Sequence, residues 1–228
     1  MPTADLLALM LADARLPVGG HTQSAGLEPA LRNGMPITAV PDYLRTRLAT
    51  VTLVEAATAV LARRVAAHPP APAVVRAELA ELDAAWRART VSKAVRDNAD
   101  LLGRGYSRLA GRLWPEHPAV RALDGINRPA RAVVLGVVAA AAGLADLRVA
   151  ELVGYDEVAT VAAAALKLAP MDPADTTAWI LELSPDIAEM AGAAVAVTGL
   201  SELPAGSAPE LEEWAEQHAA ATQRLFRS

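Results

Sequence analysis

Apolar residues in this chain recur at spacings of three, four and seven rather than two, which predicts helices from end to end. Leu6, Leu7, Met10 and Leu11 form the stripe of a first helix over residues 3–13. A short helix follows over about 22–32, with Thr22 or Ser24 as its cap and Asn33-Gly34 as its stop. Pro41 and Asp42 then open a long helix reaching about Ala67, with Leu44, Leu48, Val51, Val54, Leu61 and Val65 on one side. Residues 74–113 read as two helices broken near Arg89-Thr90. The second has Val91, Val95, Leu102, Leu109 and Leu113 on one face, and Asn98 falls among them as a buried polar group. Residues 115–129 read as a polar connection. Further helices are expected over 129–144, 155–168, 173–198 and 209–226. Asp172-Pro173-Ala174-Asp175 is a strong start signal, and Pro185 divides or kinks the helix that follows. No repeat and no strand pattern is visible. The expectation is an all-α, single-domain bundle of about eight to ten helices over residues 1–228.

Composition narrows this picture. Aromatic residues make up 4% of the chain and alanine is abundant, which favours closely packed helices. The uncharged run from Ala132 to Ala145 is shorter than the ~20 residues that span a bilayer, so a buried helix is expected there. Gly136, Ala140 and Gly143 would let a neighbouring helix approach it. Leu6 to Leu11 has no basic residue before it and Asp5 beside it, unlike an export signal; a cytoplasmic location is expected. The net charge of −5 disfavours nucleic acid as a partner. With no cysteine, the fold cannot use disulfides or thiolate metal sites.

Candidate chemistry is sparse. His21, His68, His117 and His218 form no helical metal pair, and no phosphate-binding loop of the Gly-x-x-x-x-Gly-Lys type occurs. His68 and His117 read as solvated loop residues, and His218 as part of an exposed charged face with Glu212, Glu213 and Glu216. A nucleophile pair of Ser24 and His21 can be drawn, but it lacks an orienting group and an oxyanion hole. Arg104, Arg108 and Arg112 stand at i, i+4 and i+8 on a helix face. They could grip an acidic partner, but they read more simply as a solvated face partly balanced by Asp97 and Asp100. Trp86, Trp114, Trp179 and Trp214 are expected in or near the core. A helical protein without a visible catalytic constellation suits a binding module better than an enzyme.

The most distinctive stretch is Leu16-Pro17-Val18-Gly19-Gly20-His21-Thr22-Gln23-Ser24-Ala25-Gly26-Leu27-Glu28, a loop shaped by proline and glycine between two apolar segments. It resembles the N-terminal signature of the UreF family of urease accessory proteins. Ser24, Gly26, Leu27 and Glu28 match residue by residue, and His21 stands where many members carry an aromatic. The ending Arg224-Leu225-Phe226-Arg227-Ser228 resembles that family's C-terminus. The central helix is retained in part, as Arg89-Thr90 and Leu102-Gly103. A family element with two glutamines is replaced here by Lys167-Leu168-Ala169-Pro170-Met171-Asp172-Pro173-Ala174-Asp175, which marks a divergent branch.

The resemblance implies an all-helical, typically dimeric scaffold that is not an enzyme. It would assemble with UreD (also called UreH) and the GTPase UreG on urease apoprotein and support delivery of nickel. No cofactor or metal ligand is implied for this chain. The alternative is a helical adaptor for another GTPase or metallochaperone. The partner-binding candidates are Pro17, Gly19, Gly20, His21, Ser24, Glu28, Arg224 and Arg227. The tail is expected to fold back near the Gly19-Gly20-His21 loop.

Overall fold

In the computed structural model, which describes residues 3–67, 71–222 and 225–226, no strand occurs among the described residues. The chain forms helices α1 (Ala4–Leu11), α2 (Leu27–Arg32), α3 (Val40–Arg47), α4 (Leu53–Ala67), α5 (Pro72–Arg89) and α6 (Lys93–Leu113). These are followed by α7 (Pro118–Leu123), α8 (Arg131–Ala141), α9 (Asp146–Leu168), α10 (Pro173–Glu182), α11 (Ser184–Ala196) and α12 (Pro209–Ala220). This is the expected all-α architecture, with more and shorter segments than the periodicity suggested.

α8 is the central helix, buried from Arg131 through Ala139. It crosses α4, whose Ala56, Ala57, Ala59, Val60 and Ala62 are fully buried. Small residues bring the two backbones together. A Cβ built on Gly136 would stand 2.3 Å from the Ala59 carbonyl oxygen and 2.7 Å from the Ala62 Cβ, so only glycine fits. Gly143, expected on the same face, instead ends the helix with a φ of 73° and no neighbour within 4 Å of a built Cβ. α9 and α11 cover another side of α4, and α5 and α6 flank α8 and α4. Each fully buried Val or Leu of α8 contributes on the order of 1.5–3 kcal/mol.

Several boundaries differ from expectation for identifiable reasons. The long helix begun by Pro41 is interrupted by a π turn at Leu48–Thr52. There Thr46 and Thr50 donate their hydroxyls to the carbonyls of Asp42 and Thr46, at 3.0 and 2.7 Å. The polar connection at 115–129 contains α7, whose Ala119, Val120, Ala122 and Leu123 are buried. α9 begins at Asp146 rather than at Tyr155. Arg63 and Arg64 of α4 hold the Asp146 carboxylate at 2.9 and 2.7 Å, fixing its first turn. Pro185 does divide its helix, and Asp172 does cap α10, accepting the Ala174 N–H at 2.8 Å. Leu6 and Val91, read as apolar-face residues, are 57% and 75% exposed. The last helix stops at Ala220, and the chain beyond it leaves the helical path.

Candidate functional site

The signature segment lies as a loop across α6. Leu16 and Pro17 turn the chain, Val18 is buried, and Gly19 takes a φ of 97° to start a three-residue 3₁₀ turn, Gly20–Thr22. The closeness to α6 depends on Gly105, where a Cβ would come within 2.4 Å of the Val18 carbonyl oxygen. Arg108 of α6 donates to the Pro17 carbonyl at 3.2 Å. Pro17 is exposed, and Gly19 and Gly20 are half-buried.

The helix after the loop starts at Leu27, later than expected, behind two residues of left-handed backbone. Ala25 has a φ of 50° and Gly26 one of 80°. Tyr43 of α3 donates its hydroxyl to the Ala25 carbonyl at 2.6 Å and holds this bend. Burial pushes the Tyr43 hydroxyl up to about 12, so it stays a donor at physiological pH. Neither Thr22 nor Ser24 occupies the cap position, which falls to Gly26. Ser24 does the same work from further back: its Oγ accepts the Glu28 N–H at 3.3 Å.

Ser24 and Glu28, named as partner-binding candidates, are 0% and 1% exposed and so do not face a partner directly. Glu28 instead grips the C-terminal tail. Its Oε1 and Oε2 accept the Leu225 N–H at 2.8 and 3.1 Å, and Oε2 accepts the Phe226 N–H at 2.8 Å. Arg32 balances the carboxylate at 2.7 Å. His218 of α12 completes the clasp, its Nε2 donating to the Phe226 carbonyl at 3.2 Å. The expectation of an exposed charged face fails for His218, which is 3% exposed. Phe226 is buried, with Lys167 Nζ 5.1 Å from its ring centroid, while Leu225 is 61% exposed. Of the tail, Leu225 and Phe226 fold back onto Glu28 and toward the loop. Leu16, Val18, Gly20 and Phe226 all line one cavity of about 180 Å³ that reaches α9. Arg224 and Arg227 lie outside the described residues, as do His68 and the side chain of His21.

Sequence reading missed a buried ion network beneath this junction. Arg131 of α8 pairs with Glu55 at 3.1 Å and with Asp156 at 2.7 Å, and Arg47 pairs with Glu157. Burial raises the pKa of Glu55 and of Asp156, the facing Arg131 opposing it in each case. Burial alone would lower Arg131, but Glu55 and Asp156 outweigh it and hold the guanidinium charged. A cleft of about 530 Å³ opens beside the π turn, walled by Ala25, Gly26, Arg47, Thr52, Trp86 and Asn98 among others. The Thr52 hydroxyl is buried there without a hydrogen-bond partner. The scattered spacing of these charged residues gives no motif that could have announced them.

No group of three or more metal-ligating side chains occurs among the described residues. Ser24 has its hydroxyl committed to the Glu28 N–H in a fully buried position, which leaves it poorly placed as a nucleophile. No helix of the described residues is long and apolar enough to cross a membrane. The arrangement joins two distant parts of the chain through the Glu28 carboxylate.

A family model described as UreF matches residues 37–184. The urease accessory protein UreF of Mycolicibacterium vanbaalenii is 37% identical over 223 residues, covering 96% of this chain and 97% of its own. The urease accessory protein UreF of Mycobacterium tuberculosis is 35% identical over 230 residues, covering 99% and 100%. That of Mycobacterium marinum is 34% identical over 227 residues, covering 97% and 98%. The signature loop and the tail lie outside the residues that the family model matches. With more than half its length matched by the model and near-complete coverage of each relative, the chain belongs to the UreF family of urease accessory proteins.

Proposed function

We propose that this protein is a non-catalytic scaffold in urease maturation, a homodimer of the cytoplasm that bridges UreD (UreH) and the GTPase UreG. In this reading it supports nickel delivery to urease apoprotein and influences the GTPase cycle of UreG. Nickel is cargo of the assembly, and this chain binds no cofactor of its own.

The observation that carries the proposal is the clasp of Glu28 on the Leu225 and Phe226 N–H groups. It makes the two segments most like the family into one continuous surface. Pro17, Gly19, Gly20, His21 and the exposed Leu225 would supply its contacts. Arg224 and Arg227 flank the clasped pair in sequence, and their planar donor forks suit carboxylates or carbonyls of a partner. Ser24 and Glu28 act behind this surface as positioning residues.

Co-expression with UreD and UreG, followed by size-exclusion chromatography with and without GTP and nickel, tests the reading. The full chain is expected to co-elute with both partners. Deletion of residues 224–228 is expected to abolish recruitment of UreG with helix content unchanged. A lone dimer that ignores both partners would sink the urease assignment. The adaptor alternative would then lead, and it has one observation in its favour. The divergent segment begins at Lys167, the residue stacked on Phe226, so the change falls beside the proposed contact surface.

A further inference from the structure

The outer face of α6 carries Arg104, Arg108 and Arg112, all exposed. Spaced by four residues each, they span about 12 Å along the helix. Such a row is ordinarily neutralised by carboxylates one or two turns away, and Asp97 and Asp100 stand at that spacing. Both are committed elsewhere. Asp100 is buried between Arg87 at 2.6 Å and Arg128 at 3.0 Å. Asp97 pairs with Lys93 and lies 4.0 Å from Arg128. On the C-terminal side, Glu116 pairs with Arg121. Beyond the loop, Asp13 is held by Arg15 at 2.7 Å. None of the three arginines has an ion-pair partner among the described residues. In a chain of net charge −5, this is a strip of uncompensated positive charge.

The strip is also placed. Arg108 donates to the Pro17 carbonyl at 3.2 Å, so the row runs directly out of the signature loop. At its far end Leu113 is 44% exposed and supplies an apolar contact.

We propose that the α6 strip of Arg104, Arg108 and Arg112 is a docking surface for an acidic protein segment. Guanidinium forks donate to carboxylates in bidentate geometry, and an unpaired row gains on binding what an already paired row cannot. A long polyanion suits the strip less well. The strip is short, and the net charge of −5 repels a polyanion that extends beyond it. The inference does not depend on which accessory protein the loop and tail engage.

The test is fluorescence anisotropy with a labelled glutamate-rich peptide and, separately, duplex DNA, at low and at physiological salt. Three proteins are compared: the native chain, R104Q/R112Q, which keeps the Arg108 contact to the loop, and the control R76Q/R148Q, which removes two exposed arginines elsewhere. The native chain and the control are expected to bind the peptide in a salt-sensitive manner. R104Q/R112Q is expected to bind about tenfold more weakly, with unchanged helix content. Equal losses in both variants, no loss in R104Q/R112Q, or no peptide binding by the native chain would overturn the proposal. So would DNA held as tightly as the peptide through the same two arginines.

Discussion

The crossing of α4 and α8 and the junction of Glu28 with the tail are both buried, and they are held by opposite means. Around Gly136 the crossing brings two backbones together through alanines, valines and one obligatory glycine, the Arg131–Glu55 ion pair between the two helices lying apart from it at the start of α8. At the junction, a carboxylate 1% exposed sits among two backbone N–H groups, an arginine and a histidine. The first arrangement is strong because it is dry and dense. The second depends on matched donors and acceptors, since an unsatisfied buried polar group costs about 1–3 kcal/mol, and it already carries one such atom, the His218 Nδ1. The crossing therefore specifies the fold, whereas the junction specifies where one short segment lies.

The largest expected effect breaks the crossing. Gly136→Leu would drive a side chain into the Ala59 carbonyl, whose position is fixed by the helix it belongs to. A loss of about 3 kcal/mol in unfolding free energy is expected, read as a lower urea midpoint with the slope unchanged. A near-native midpoint would mean that the two helices can separate without cost.

Breaking the junction should be smaller and local. Glu28→Ala removes the acceptor for Leu225 and Phe226 and leaves Arg32 and His218 without their carboxylate neighbour. The expected cost is about 1–3 kcal/mol, with hydrogen exchange at the Leu225 and Phe226 amides rising while α4 and α8 stay protected. Glu28→Gln keeps one acceptor oxygen and should fall between. Loss of protection throughout α8 in either variant would show that the junction is part of the global core and not a local attachment.

The two regions were also unequally legible in the sequence. The crossing could be read from composition, because an uncharged run too short for a membrane has to be buried, and Gly136 marked its close approach. The boundaries that slipped did so where local hydrogen bonding overrode periodicity. The threonine hydroxyls around the π turn and the arginine clamp on Asp146 are not periodic features. The junction could be found only through resemblance, since nothing in the spacing of Glu28, His218 and Phe226 brings them together. Resemblance named Glu28 as a partner contact, and the structure turns it inward onto Leu225 and Phe226, because a motif does not record whether a residue faces outward. His218 escaped altogether: its neighbours on α12 are acidic and its own side chain turns inward.

The smallest effect sharpens the comparison at the edge of the junction, where α12 docks on the start of α6. Glu216 accepts the Ser92 hydroxyl at 2.6 Å and the Ala94 N–H at 2.8 Å, and these bonds hold its pKa below the ordinary value of 4.5. A carboxylate lowered by folding contributes stability that is present above its unfolded pKa and lost as pH falls through its folded one. Glu55, raised by burial, works in the opposite sense: its contribution is present below 4.5 and lost as pH rises through the folded value. Acidification should therefore loosen α12 at Glu216 while easing the strain of burial at Glu55. Glu216 is largely open to solvent, so its share is below about 1 kcal/mol. Carboxyl titration by NMR is expected to place Glu216 below 4.5. Glu216→Gln should remove the acid-side loss of α12 protection while leaving the acid response of the α4–α8 core as it was. An unshifted Glu216 would mean that its bonds to Ser92 and Ala94 do not hold α12 to the start of α6.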